Sequence, residues 1–438
     1  MKIHGLLVAT LVLLVLGGVL YWSNHHTSAE ETAKISADTP PTILKLDQAT
    51  ITKLEIRKKD AEPVALAKAN SGDWQITEPK PFRADQGAVL GLVSALSSLN
   101  SQRVVEDKAS DLKPFGLQNP VLEVDLAEKD NKSHKLLLGD ETLASGGIYA
   151  MLAGDPRVFT VASWEKSSID KTLNDLRDKR LLPVSPEKIS RVELIRKNED
   201  IEFGRNKEDW QILKPRPLRA DSTQVGELIR QLTDAKMDLN AADNGAASAF
   251  TKATPLATAK VTDESGTQEL QLRKSKDTYF AKSSAVEGAY KVDSALGKAL
   301  DKGLDDFRNK KLFDFGYNDP NKVELHSGPK SYFLARGSAG SEDWWSNGKK
   351  MDAGSVEPLV SDLRDLSASK FVDSGFSNPT MDVVVTSEDG KHAEKIQIAK
   401  SGDHFIAKRE SEQALYQLDA KTVDDLLKAA DSVKTAGK

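Results

Sequence analysis

The chain has 438 residues, a length that accommodates two to four folding units at roughly 100 to 200 residues each. With 39% hydrophobic and 29% charged residues it carries enough apolar material for packed cores, and its 61 Lys+Arg against 66 Asp+Glu, a net charge of -5, exclude the whole-chain basic surface by which proteins hold nucleic acid. The absence of cysteine from this sequence excludes disulfides, thiolate metal sites, iron–sulfur clusters, a cysteine nucleophile and a lipidated N-terminal Cys.

After a four-residue tail (1–4), residues 5–22 read GLLVATLVLLVLGGVLYW, without a charge. At about 1.5 Å rise per residue this is near the lower limit for crossing a roughly 30 Å hydrocarbon core. It is longer than the apolar part of a signal peptide, and Tyr21-Trp22 stand where an interfacial aromatic belt belongs. A transmembrane anchor is therefore expected, with Lys2 on the cytoplasmic side and the rest of the chain exported. The competing reading is a cleaved signal peptide, with Thr27-Ser28-Ala29 as its small-residue site. Residues 23–41 have no hydrophobic periodicity and end in Pro40-Pro41, as a solvated tether does.

The remaining chain repeats itself. Asp73-Trp74-Gln75-Ile76 returns as Asp209-Trp210-Gln211-Ile212 and as Asp343-Trp344-Trp345, the tryptophans being 136 and 134 residues apart. KLEIRKK (53–59), RVELIRK (191–197) and KVELHSG (322–328) precede them and alternate apolar with polar residues, the period of a strand with one buried face. Arg83-Ala84-Asp85 and Arg219-Ala220-Asp221, with Lys350-Met351-Asp352 in the same register, lead into stripes at helical spacing. These are Val89, Leu92, Val93, Leu96; Val225, Leu228, Ile229, Leu232; and Val356, Leu359, Val360, Leu363. The aspartates are placed to accept from first-turn amides.

The second half of each copy begins at Phe115-Gly116-Leu117-Gln118-Asn119-Pro120, at Phe250 with Pro255, and at Phe376-Ser377-Asn378-Pro379. Four alternating strand segments follow in each, separated by hairpin-type turns such as Ser401-Gly402-Asp403, and a last amphipathic helix closes the copy. Arg177-Asp178-Lys179-Arg180-Leu181 and Arg308-Asn309-Lys310-Lys311-Leu312 are read as joints to the next copy; the third copy is expected to have none to make. The fold class is α+β: three tandem repeats of antiparallel strands packed with two amphipathic helices each, at 42–186, 187–317 and 318–438, after one N-terminal transmembrane helix. Such units are expected to form an elongated array.

The anchor, the DWQI strand with its Pro-rich turn and RAD, the FGLQNP turn and LRDKRLL at the joint resemble the bacterial domain-of-unknown-function 4340 family over most of residues 42–320. Copy three departs from the pattern, with Trp344-Trp345 in place of Trp-Gln and no RAD or LRDKR. The resemblance implies a membrane-anchored exported protein, in some members associated with ABC-type export or gliding motility. It carries no catalytic residue.

Local chemistry is sparse. His25-His26 are two ligands where a metal site needs three or four, and His392 with Glu394 lacks the spacing of a zinc protease. Neither a nucleophile elbow nor a Walker loop occurs in the sequence, and Asp305-Asp306 and Asp424-Asp425 are adjacent on helices and point apart. Arg83 and Arg219 are interaction candidates; the competing account is an ion pair and cap local to the helix start. Lys179, Arg180, Lys310 and Lys311 are candidates for an anionic lipid or an acidic partner, against ordinary cations at a helix C-terminus. The repeated tryptophans read as core or inter-copy anchors, with a sugar-stacking platform as the alternative.

The expectation is thus an inner-membrane-anchored periplasmic scaffold or accessory subunit, without cofactor or metal, that binds another membrane or periplasmic protein and no nucleic acid. A glycan- or peptide-binding module using grooves between repeats is the alternative. A hydrolase with acids gathered from distant segments is a third reading.

Overall fold

The computed structural model describes residues 41–142, 146–207, 209–239, 245–316, 320–337, 343–387 and 390–437. The expected anchor at 5–22 and most of the tether lie outside the described residues, and among the described residues no helix is long and apolar enough to cross a membrane. The chain divides into two compact units between Lys179 and Arg180; the first holds copy one, the second copies two and three.

In the first unit nine antiparallel strands form one sheet, in the order Phe82–Arg83, Trp74–Glu78, Val64–Lys68, Ile51–Lys58, Leu122–Glu128, Ser133–Glu141, Gly147–Leu152, Val158–Ala162, Arg103–Glu106. The second unit repeats the plan twice, as an eight-stranded sheet centred on Arg191–Arg196 paired with Thr254–Asp263 and a nine-stranded sheet centred on Lys322–Ser327 paired with Met381–Ser387. Each sheet is α+β in character because its apolar face is covered by helices. Gln86–Ser97, Ser222–Thr233 and Ala353–Asp365 bury the three stripes named above. They start where the aspartates cap them: Asp85 accepts from Ala88 N–H at 3.0 Å, Asp221 from Thr223 and Gln224 at 2.9 and 3.1 Å, and Asp352 from Gly354 at 3.3 Å.

Two short backbone ribbons recur in every copy. A closing ribbon pairs with the segment before the cap: Asp85 N–H donates to Leu176 O, Asp221 N–H to Phe307 O and Asp352 N–H to Lys434 O. The ladder continues with Asp178 N–H to Arg83 O, Asn309 N–H to Arg219 O and Ala436 N–H to Lys350 O. An entry ribbon pairs with the residues after the same helix, through Ile43 N–H to Leu99 O, Leu181 N–H to Ala235 O and Leu312 N–H to Leu366 O. It also inserts Ile43 and Leu44, Leu181 and Leu182, or Leu312 and Phe313 into the copy's core. The joint motifs are these two ribbons run back to back. Copy three therefore keeps the closing half of a joint, contrary to the expectation that it has none; Lys434–Ala436 supply the backbone groups, which carry no side-chain signature.

Two further elements depart from the sequence pattern. The last helix of copies one and two is broken, into Ser163–Ile169 and Leu173–Leu176 and into Ser294–Leu300 and Leu304–Phe307. Asp175 accepts from Thr172 N–H at 2.8 Å and Asp306 from Gly303 N–H at 2.8 Å, so each second piece starts with its own cap. In copy three, Ala420–Asp431 runs unbroken. The turn after the tryptophan strand holds a cis Glu78-Pro79 or Lys214-Pro215 bond in copies one and two. Copy three has Asn347-Gly348 instead, both at positive φ, which is the two-residue hairpin that this dipeptide favours.

Asp221 both caps its helix and donates its N–H to the closing ribbon. Asp221→Ala keeps the second role and removes the first, so urea unfolding of the second unit should report a loss of about 1 kcal/mol.

Candidate functional site

A cleft lies inside the second unit, where the tryptophan strand and turn of copy two meet the loop 411–414 of copy three. Its volume is about 850 Å³, and its polar lining includes Asp209, Arg216, Arg219, Asp314 and Glu412.

Arg219 reaches this cleft because Leu218–Arg219 is the edge strand of its sheet, held by Gln211 on one side and by the closing ribbon on the other. Its guanidinium bridges the copies. Nε donates to Glu412 Oε1 at 2.6 Å, one terminal nitrogen donates to Asp314, and the other donates to Lys311 O at 2.5 Å and to Tyr416 Oη at 3.1 Å. Tyr416 in turn donates to Glu412 Oε2 at 2.6 Å. Behind Glu412 stands a second, more deeply buried arginine. Arg409, with 8% of its side chain exposed, donates to Glu394 at 2.8 Å and to Leu312 O of the entry ribbon. Arg409 Nε lies 2.8 Å from Glu412 Oε1, but its N–H points off that line, so this contact is an ion pair and not a hydrogen bond. Glu394 also accepts from Asp314 N–H at 2.9 Å.

The pKa directions follow from this packing. Burial opposes the charge on Arg219, and Tyr416, Asp314 and Glu412 outweigh it, so its pKa rises above the ordinary arginine value. Burial, with the hydrogen bond to Glu412, pushes the Tyr416 phenol up to about 12, against the pull of Arg219.

The other candidates are placed as follows. Arg83, in the first unit, lies 3.6 Å from the buried Asp178 carboxylate, within its own copy. Lys179 is half-buried at the end of that unit. Arg180 and Lys311 each pair through the backbone, with Lys236 and Ser367, and Lys310 O accepts from Ala368 N–H. These four residues are ribbon residues and not the last turn of a helix, which ends at Leu176 or Phe307. For Arg219 the cap at Asp221 stands, but the ion pair is not local: its carboxylates come from Asp314 and Glu412, far along the chain. The repeated tryptophans Trp74, Trp210 and Trp344 are 2%, 9% and 3% exposed and belong to the cores, whereas Trp345 is 39% exposed.

A smaller apolar pocket of about 270 Å³ in the first unit is walled by Ile56, Val64, Pro79 and Leu173. At the position of Lys58, also in the wall, the second copy has Arg196, which pairs with Glu199 and donates to Asp301 O at 2.6 Å. No cluster of His, Asp and Glu among the described residues is arranged to hold a metal ion.

These features define a class, the tandem-repeat α+β proteins whose copies are each closed by two backbone ribbons, the two copies of the second unit being joined by a buried charge network. The chain belongs to the family described as Domain of unknown function (DUF4340), whose model matches residues 74–212 and again 210–381. The matches extend through the first half of copy three, beyond the 42–320 suggested by local motifs. No curated protein and no solved structure matches the chain.

Two outcomes are expected. Arg409→Met leaves Glu394 buried without its cation, and chemical denaturation of the second unit should show a loss of about 3 kcal/mol or more. Tyr416 is neutral in the folded protein up to about 12, above its ordinary value of 10.0, so its contribution is full below the ordinary value and is lost as the pH rises through the folded one. Tyrosinate absorbance of the parent minus that of Tyr416→Phe should therefore titrate near the raised value; a difference titrating at the ordinary one contradicts the burial argument.

Proposed function

We propose that this protein is a non-enzymatic scaffold or accessory subunit, held at the bacterial inner membrane by residues 5–22 with its repeats in the periplasm, where it binds an extracytoplasmic part of a membrane protein such as an ABC-type exporter. The observation that carries the scaffold reading is the use made of charge at the large cleft. Asp314 and Glu412, the cleft carboxylates suited to acid–base work, are committed to Arg219 and to fastening copy two to copy three. Perturbed groups in a cleft are candidates for catalysis, and structural ion-pair networks perturb them equally. Repeats fastened in this way offer extended surfaces for protein contact. The burial of Trp74, Trp210 and Trp344 takes from the glycan-binding reading the aromatic row on which it chiefly relied.

The anchor is tested by alkaline carbonate extraction of cell membranes: the full chain should stay with the bilayer, and its release as a soluble species beginning near Glu30 overturns the anchored reading. The scaffold is tested by site-specific photo-crosslinking in cells from the exposed residues Trp345 and Phe333. The expected product is a defined adduct with a transport-system subunit; specific glycan retention by the full chain, with no protein adduct, overturns it.

A further inference from the structure

The three copies can be compared position by position from their cap aspartates, and the comparison singles out the helical layer of copy one. Its helix Gln86–Ser97 has no charged residue. Five residues after the cap stand Leu90, Gly226 and Glu357, all exposed; six after it, Gly91, Glu227 and Pro358; nine after it, Ser94, Arg230 and Ser361; thirteen after it, Ser98, Asp234 and Asp365. The second residue of the closing helix is Trp164 in copy one, Ala295 in copy two and Lys421 in copy three, again exposed in all. Where the other copies present charge or small side chains to solvent, copy one presents Leu90 at 53% and Trp164 at 69% exposure. The two helices pack on the same core, through Val89, Leu92, Val93, Leu96 and Ile169, so Leu90 and Trp164 are exposed side chains of one helical layer.

The chain enters the fold beside this layer. Pro41 O accepts from Ser101 N–H, and Ile43 and Leu44 donate to Leu99 O, immediately past the end of helix Gln86–Ser97. The apolar segment 5–22 is therefore separated from the end of that helix only by residues 23–41, a stretch that even fully extended spans no more than roughly 65 Å.

We infer that the helical layer of copy one rests on the lipid surface, with Trp164 and Leu90 seated among the headgroups. This rests on the anchored reading above. An exposed tryptophan and leucine beside an uncharged helix suit that interface, where tryptophan is enriched. Copies two and three, with charged helix faces, stay in water.

The test uses the full chain reconstituted into phosphatidylcholine vesicles with acyl chains brominated near the headgroup, which quench tryptophan at close range. The emission of the parent minus that of Trp164→Phe isolates Trp164 and cancels Trp22. That difference should be strongly quenched by the brominated lipid and largely recover in Leu90→Glu, a substitution at an exposed position that the fold tolerates. An unquenched difference in chain that floats with the vesicles overturns the inference and leaves the anchor standing, and directs attention to a protein partner on this face. Chain that fails to float overturns the anchored reading and the inference with it.

Discussion

The architecture depends on one residue used twice. In each copy an aspartate accepts, through its side chain, from the first turn of the helix that covers the sheet, while its own N–H donates to the closing ribbon. Helix start and chain closure are thereby set within a single residue, and the helix can only be placed where the ribbon arrives. At the far end of the same helix the entry ribbon pairs with the residues that follow it. Each helix is thus gripped at both ends by backbone hydrogen bonds, while its apolar stripe supplies the burial that stabilises the copy.

Beyond this shared frame, the copies are individualised by charge. Copies two and three are joined through Arg219, backed from within copy three by Arg409, and each of the two satisfies carboxylates and a side-chain-facing carbonyl of the entry ribbon. In copy two the position corresponding to Arg409 is Ser283, whose hydroxyl donates to Leu181 O at 2.5 Å, a neutral solution to the same demand for a donor. A buried arginine brings the need for compensating anions, and Glu394 and Glu412 supply them.

Much of this was legible along the chain. The three stripes, the cap aspartates, the tryptophan strands and the four strands of each second half all fall where periodicity places them, because each is specified by residues within a few positions of one another. What escaped is what depends on backbone groups or on distant side chains. Lys434–Ala436 close copy three with amides and carbonyls alone, so no residue type announces them. The strand Lys370–Val372, paired with Leu415–Asp419, is too short to display alternation. Arg219 was visible as a candidate, yet its meaning lay in Asp314, Glu412 and Tyr416, which no local spacing connects to it. The restart of the closing helices was marked by Thr172 with Asp175 and Gly303 with Asp306, a capping signal obscured by the continuous apolar pattern around it.

The first family match runs from the tryptophan strand of copy one to that of copy two, and the second starts at the latter and ends at Met381, so both begin out of phase with the sheets. A segment cut in that phase contains, intact, the closing ribbon of one copy and the entry ribbon of the following one. Inserting or deleting such a segment would change the number of copies while every remaining joint kept both of its halves. The place at which the chain can be duplicated without rewriting its connections is therefore the middle of a hairpin, and not the boundary between compact units.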